Sequence, residues 1–183
     1  MRILAVEDGG FELGEPGKRK GTALLVGIVI SDFRIERLVI SQIEVDGLDA
    51  TRRLIEIVEK ERKPLDLIML GSISYAGFNP IDIIQAYEGL KIPIIVANPK
   101  EPKEGAVETA LLHHFPDWKE RLKIIEKAKI PKKLVLRRDE SIYFQAAGIT
   151  IIKAKKIIKE LIIFGKQPEP LRIARILAHE LSR

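Results

Sequence analysis

Carboxylates stand at two points where a hydrophobic run of the sequence ends. Glu7 and Asp8 close the first run, and the tetrad Asp-Gly-Leu-Asp at residues 46–49 leads into a helical pattern. Carboxylates at strand ends can hold a divalent cation, which activates water and polarises a phosphodiester. We therefore predict that Asp8 and Asp46 are metal ligands and catalytic residues, supported by Glu7 and Asp49.

A cation would also relieve the repulsion between the two predicted ligands. Two carboxylates about 5 Å apart repel by roughly 3 kcal/mol at an effective dielectric constant of about 20. Such a pair must bind a cation, share a proton or remain well solvated. Mg²⁺ takes one or two carboxylates together with water and phosphate oxygens, so Mg²⁺ or Mn²⁺ is the predicted cofactor.

The same acidic residues also have structural interpretations. Asp8 and Asp46 each precede a glycine, as residues of tight turns often do. Asp49 stands directly before a helical pattern and suits the N-cap position of that helix. For Asp8 and Asp46 the structural and the functional interpretation both stay open at the level of the sequence.

Asn79 and Asp82 complete the predicted supporting set, although both also fit the start of a helix. Asn79 is suited to the N-cap, with Pro80 in the first helical turn. Asp82 then lies in the first turn, where a negative charge complements the helix dipole. A cap explains Asn79 better than a metal ligand does.

Basic residues follow the first acidic strand end. Lys18, Arg19 and Lys20 lie in a glycine-rich segment, residues 11–21, close in sequence to Asp8. The spacing of a phosphate-binding P-loop is absent there. The three cations are nevertheless the best candidates for contact with nucleic-acid phosphates, with an ordinary solvated loop as the alternative. His179, on the last predicted helix, is interpreted as a surface or interface residue.

The composition limits the class of protein. The 183 residues are 46% hydrophobic, with a net charge of +5 and no cysteine. This length suits a single domain over residues 1–183, and the absence of cysteine excludes disulfides and thiolate metal sites. No apolar run approaches the roughly 20 residues of a membrane span, so a cytoplasmic protein is expected. Abundant Ile, Lys, Arg and Glu with scarce Asn, Gln and Met is typical of a hyperthermophile.

The hydrophobic periodicity predicts a mixed sheet. Strands are expected at 2–7, 22–30, 33–40, 65–70, 92–97, 133–137 and 141–147, with a turn at Ser31-Asp32 and a bulge near residues 35–38. Helices are expected after Asp49, from Asn79, within 103–128, and twice after residue 150. Antiparallel strands followed by strand–helix alternation indicate an α/β fold of the ribonuclease H-like arrangement, with helices on both faces.

Four segments together carry a resemblance to a known family. They are residues 6–9 (Val-Glu-Asp-Gly), 45–51, 75–79 and 168–172. Through them the chain resembles the archaeal family of unknown function numbered ninety-nine, whose members are similar to endonuclease V. The resemblance implies the ribonuclease H-like fold of endonuclease V, which cuts DNA or RNA near deaminated bases with a divalent metal, usually magnesium.

The resemblance carries over only part of the endonuclease V site. It places Asp8 at the first metal-binding position, on the first strand, and Asp46 at the second. A third acid is expected at the end of the fourth strand, but that stretch reads Leu70-Gly71-Ser72. The histidine expected soon afterwards is also missing. The implied acidic site is therefore incomplete.

Three hypotheses follow for the function. The first is a divalent-metal-dependent nuclease that acts on DNA or RNA and has diverged from endonuclease V. The second is a catalytically inactive protein of the same fold that binds nucleic acid or a nucleotide. The third is a scaffold that forms a homo-oligomer through its C-terminal helices.

Overall fold

A computed structural model describes residues 1–12, 14–103, 105–137 and 140–183. The strands are β1 (Arg2–Asp8), β2 (Thr22–Ser31), β3 (Arg34–Glu44), β4 (Leu67–Leu70), β5 (Ser74–Tyr75), β6 (Asn79–Pro80), β7 (Ile94–Asn98), β8 (Lys132–Arg137) and β9 (Glu140–Ala147). The helices are α1 (Ala50–Glu59), α2 (Ile83–Leu90), α3 (Ala106–His114), α4 (Trp118–Lys127), α5 (Ile151–Leu161) and α6 (Glu169–Leu181).

Seven of these strands form one mixed sheet in the order β3-β2-β1-β4-β7-β9-β8. β1 pairs antiparallel with β2 and parallel with β4, which in turn pairs parallel with β7. Because β1, β4 and β7 are parallel, their carboxyl ends at Asp8, Leu70 and Asn98 lie at the same edge of the sheet. Ligand sites in open α/β sheets form at this edge.

Helices cover both faces of the sheet, as predicted. Leu4 and Val6 of β1 belong to the core that includes buried residues of α1 and α2. The alternating residues Ile3 and Ala5 belong to the core that includes buried residues of α5 and α6. β1 is therefore buried on both sides, which fixes the positions of Glu7 and Asp8 at its end. Among the described residues, no helix has the length and hydropathy to cross a membrane.

Three local predictions can be compared with the structure. The bulge is confirmed, because the pairing register of β2 with β3 changes between Val29, which faces Arg37, and Ile30, which faces Ile35. The hairpin turn is displaced by one residue, because Asp32 and Phe33 are the positions with positive φ. The helix predicted from Asn79 begins only at Ile83, since Asn79 and Pro80 pair with Ser74 and Tyr75 as β6 and β5.

Candidate metal and nucleic-acid site

A cleft of about 460 Å³ opens at the carboxyl ends of the parallel strands. Glu7 and Asp8 border it from β1, Gly71 from the end of β4, and Asn98 from the end of β7. Gln167, Arg175 and His179 border it from the C-terminal part of the chain. The cleft thus combines carboxylates with hydrogen-bond donors and cations, as a site for a phosphodiester and a metal ion requires.

Glu7 is a buried carboxyl group beside the cleft. Its side-chain Oε1 accepts a hydrogen bond from Gln167 Nε2 at 3.2 Å. Burial, followed by the nearby charge of Asp8, raises the pKa of Glu7 to about 8, although Arg175 and Gln167 act in the opposite direction. Glu7 therefore keeps its proton at pH 7 and releases it near pH 8, and a bound cation would favour that release.

Gly71 leaves the space that the Glu7 side chain fills. A Cβ atom at position 71 would overlap the Glu7 carboxylate. Position 71 follows the end of β4, where the resemblance to endonuclease V led us to expect an acid. Glu7 therefore brings a carboxylate to this part of the cleft from the neighbouring strand.

Asp8 is the second carboxylate of the cleft and is half-buried. The backbone N–H of Ala76 donates to its Oδ2 at 2.6 Å. Burial raises the pKa of Asp8, and the Ala76 hydrogen bond and the charge of Arg175 oppose this rise only in part. Among the ion pairs of the described residues, none includes Asp8 or Glu7.

Asp46 has a different environment, which corrects its predicted role. Its Oδ1 accepts from Arg19 Nη2 at 2.7 Å and from the Phe78 N–H at 2.9 Å. Its Oδ2 accepts from Arg19 Nε at 2.8 Å and from the Gly17 N–H at 3.0 Å. A carboxylate offers about four acceptor sites, so these hydrogen bonds leave no site free for a metal ion. Asp46 is therefore not placed as a metal ligand or a catalytic residue.

The pKa of Asp46 reflects the same contacts. Burial alone would raise this pKa, but the hydrogen bonds from Arg19, Phe78 and Gly17 outweigh burial and hold it below its usual range. Asp46 remains a carboxylate with its own counterion at neutral pH. It differs in this from Glu7 and Asp8, whose pKa values are both raised.

Asp8 and Asp46 nevertheless bind the same turn. The N–H of Ala76 is bonded to Asp8, and the N–H of Phe78 is bonded to Asp46. Gly77, between them, has φ of 87°, and a Cβ atom there would overlap Asp46 Oδ1. The turn at 76–78 thus connects the cleft to the Arg19–Asp46 ion pair.

The predicted phosphate-binding group, Lys18, Arg19 and Lys20, lies outside this cleft. Arg19 forms an ion pair with Asp46 at 2.7 Å, and Lys18 forms one with Glu15 at 2.8 Å. The three side chains line a separate depression with a volume of about 300 Å³. They do not border the cleft that contains Glu7 and Asp8.

The supporting residues Asn79 and Asp49 have structural roles outside the cleft. Asn79 is fully buried and accepts from the N–H of Ala50 at the start of α1, rather than capping the helix that follows it. Its amide nitrogen donates to Asp49 Oδ1 at 2.7 Å. Asp49 also accepts from the Glu44 N–H and from Arg53. Asp49 occupies the N-cap position of α1 as predicted, but its side chain makes no capping hydrogen bond.

Asp82, the remaining supporting residue, is the N-cap of α2. It accepts from the Gln85 N–H at 2.9 Å and forms an ion pair with Lys127 of α4. The helix was predicted to start with Asn79 as its N-cap, so the observed N-cap lies three residues later in the sequence, at Asp82. Asp82 joins two helices and does not border the cleft.

The sequence analysis did not predict that residues of the C-terminal part of the chain border the cleft. Arg175 and His179 are separated by four positions on α6, so they lie on the same helical face. The four-residue spacing within a predicted helix is enough to indicate that the two side chains share a face. Nothing in the local sequence indicates that α6 packs beside the end of β1.

Glu7 and Asp8 form the part of the cleft that suits a divalent cation. Burial raises the pKa of both groups, and neither forms an ion pair among the described residues, so a bound cation would favour their ionised forms. Mg²⁺ commonly binds one or two carboxylates and completes its coordination with water and phosphate oxygens. Within the described ranges, no group of three or more His, Cys, Asp or Glu residues is arranged to hold a metal.

Comparison with known proteins places the chain among archaeal relatives. A family model described as endonuclease dU matches residues 1–182. A UPF0215 protein of Thermococcus sibiricus is 36% identical over 180 residues, which cover 97% of this chain and 90% of that protein. A crystal structure of a protein of unknown function from Archaeoglobus fulgidus is 32% identical, with a TM-score of 0.83 and coverage of 98% and 97%.

Endonuclease V is a more distant structural relative. The Bacillus subtilis enzyme superposes with a TM-score of 0.66 at 16% identity, covering 98% of this chain and 80% of that one. At this identity the similarity concerns the fold. It confirms the predicted endonuclease V-like, ribonuclease H-like architecture. The family match and the archaeal relatives confirm the resemblance to an archaeal family of unknown function.

Proposed function

Because the chain belongs to the endonuclease dU family, we propose that it is a divalent-metal-dependent endonuclease that cleaves DNA at or near deoxyuridine. The cleft beside Glu7 and Asp8 is the proposed reaction site. The family description supplies the substrate class, and the fold is compatible with nuclease chemistry. The supporting observation within the chain is the pair of carboxyl groups, Glu7 buried and Asp8 half-buried, that form no ion pair among the described residues.

Asp8 and Glu7 are the residues that would hold Mg²⁺ or Mn²⁺. A bound cation would lower the pKa of an attacking water molecule and polarise the phosphate. The Ala76 N–H orients the Asp8 carboxylate, and Gln167 orients that of Glu7. Both carboxyl groups are ordered by hydrogen bonds before substrate arrives, which reduces the entropic cost of assembling the site.

Tyr75 supports this arrangement through two buried hydrogen bonds. Its hydroxyl donates to the Val6 carbonyl at 2.9 Å and accepts from the Gly71 N–H at 3.0 Å. It therefore connects the end of β1 to the end of β4 and is itself fully buried. The relative position of Glu7, Asp8 and Gly71 depends on this connection.

Substitution of Asp8 tests the proposed function. Wild-type protein should cleave a labelled single-stranded DNA with one internal deoxyuridine in Mg²⁺ or Mn²⁺, and Asp8→Asn should lose at least about a hundredfold in rate. Asp32→Asn is the matched control, because Asp32 is 90% exposed in the β2–β3 turn at the other end of β1. Cleavage by Asp8→Asn at the control rate would contradict the proposal.

A second candidate function is metal-independent binding of nucleic acid without cleavage. It is favoured by the absence, within the described ranges, of a group of three metal-binding side chains, and by the pairing of Asp46 with Arg19. This candidate predicts that DNA affinity is the same in EDTA and in Mg²⁺. It also predicts no product from deoxyuridine-containing DNA or RNA at any metal concentration.

A further inference from the structure

The cleft contains a cation that the proposed metal site does not use. Arg175 lies on α6, borders the cleft and is exposed on the surface of the helix. Its charge acts on both Glu7 and Asp8, although no ion pair with either residue occurs among the described contacts. Its guanidinium is therefore close to the carboxylates and retains its donors for another group.

Contacts at both ends of α6 fix this position. Before the helix, Gln167 donates to Glu7 at 3.2 Å. After it, the Ser182 hydroxyl accepts from the Gly10 N–H at 2.7 Å, just beyond β1. Arg175 lies between these two contacts, so the helix holds it beside the end of β1.

Other features of the cleft favour an anion next to Arg175. His179 lies one helical turn further along α6, and Lys100 borders the cleft from the segment after β7. These cationic and polar side chains stand beside carboxylates that cannot themselves attract a nucleic-acid phosphate. An arginine presents a planar fork of donors that matches two phosphate oxygens.

We propose that Arg175 is a catalytic residue that binds the phosphodiester group on which Glu7 and Asp8 act. It replaces Arg19 and its neighbours as the main phosphate contact. The guanidinium stabilises the negative charge that increases on the phosphate oxygens during cleavage, and His179 and Lys100 bind the adjoining backbone. This inference rests on the proposed nuclease function for its chemistry, but the phosphate contact can be measured without cleavage.

Two variants of Arg175 separate charge from geometry. Arg175→Met should lower the rate of cleavage of deoxyuridine-containing single-stranded DNA by about a hundredfold. Arg175→Lys should restore only part of this rate, because an ammonium group lacks the donor fork. Arg172→Met is the matched control on the same helix, since Arg172 pairs with Glu169 and does not border the cleft. Melting temperatures establish that each variant is folded.

Binding in EDTA supplies a readout that does not depend on turnover. The slope of log affinity against log salt for single-stranded DNA should become shallower by about 0.7 in Arg175→Met, as expected for the loss of one phosphate contact. Arg175→Lys and Arg172→Met should keep the wild-type slope. A purely structural role of Arg175 would lower stability without this selective change.

The outcomes distinguish the inference from the proposed function. If Asp8→Asn abolishes cleavage while Arg175→Met matches Arg172→Met in rate and salt slope, the inference is overturned and the nuclease proposal stands. If the wild-type protein does not cleave but Arg175→Met still loses one phosphate contact, the inference stands and the nuclease proposal fails.

Discussion

Two types of carboxylate occur within a short distance of the 76–78 turn, and their contacts explain their different roles. Asp46 has a guanidinium partner and a lowered pKa, whereas Asp8 and Glu7 have raised pKa values. A carboxylate with a matched arginine stabilises a fold, while one left without a counterion is available for a cation. Asp8 and Asp46 both hold the turn, but only Asp8 and Glu7 line the cleft.

The first residue-scale prediction concerns Asp46→Asn. The side chains of Asp46 and Arg19 are only 5% and 11% exposed, so the substitution leaves a largely buried guanidinium without its partner. We expect a loss of about 3 kcal/mol in the free energy of unfolding, measured by urea denaturation at pH 7. Because the folded-state pKa of Asp46 is lowered, its stabilisation is present above the unfolded-state pKa and is lost as pH falls.

Mg²⁺ provides the control for this interpretation of Asp46. If Asp46 only positions the turn, then Mg²⁺ should raise the melting temperature of Asp46→Asn by the same increment as that of the wild-type protein. Loss of the Mg²⁺ increment without loss of basal stability would instead identify Asp46 as a metal ligand.

At the scale of elements, one buried amide joins three parts of the fold. Asn79 of β6 accepts from the Ala50 N–H at the start of α1 and donates to the Glu44 carbonyl at the end of β3. A capping group supplied by a distant strand ties the start of the helix to the sheet. These contacts account for the full burial of Asn79. Asn79 also accepts the hydrogen bond from Ala50 that Asp49 does not accept, because the Asp49 side chain makes no capping hydrogen bond.

Asn79→Ala should therefore destabilise α1 in particular. The substitution leaves the buried N–H of Ala50 and the part-buried carbonyl of Glu44 without their partner, with an expected loss of about 2 kcal/mol in unfolding free energy. Hydrogen exchange should accelerate most in the first turn of α1. Gln85→Ala, at an exposed position of α2, is the control. A change as small as that of the control would show that solvent replaces the amide.

The elements of the sheet could be predicted from the sequence because their signals are local. Apolar runs identified β1, β4 and β7, and their parallel order brought Asp8 to the cleft edge. The partner of Asp46 could not be predicted, since Arg19 lies 27 positions away in a loop whose path depends on tertiary contacts. The place of Arg175 depends similarly on the Gly10–Ser182 contact, which spans 172 positions.

On the scale of the whole molecule, the cleft and the global stability are coupled through Glu7. Its pKa is about 8 in the folded protein, against an ordinary value of 4.5. Between these two values the folded state keeps a proton that the unfolded state releases, so stability falls as pH rises from 4.5 to about 8. Burying this carboxylate is thus unfavourable for folding at neutral and alkaline pH, as is common at functional sites.

Glu7→Gln should remove this pH dependence. We expect the variant to be more stable than the wild-type protein by a few kcal/mol above pH 8, with the difference vanishing below about pH 4.5. Glu88→Gln, at an exposed position of α2, should follow the wild-type curve throughout.

Mg²⁺ should narrow the gap at pH 8, because a cation beside Glu7 and Asp8 stabilises the ionised form that only the wild-type protein has. Melting curves across pH, with EDTA or Mg²⁺, measure both effects. A Glu7→Gln curve parallel to that of the wild-type protein at every pH would show that Glu7 is solvated in solution and does not belong to a desolvated metal site.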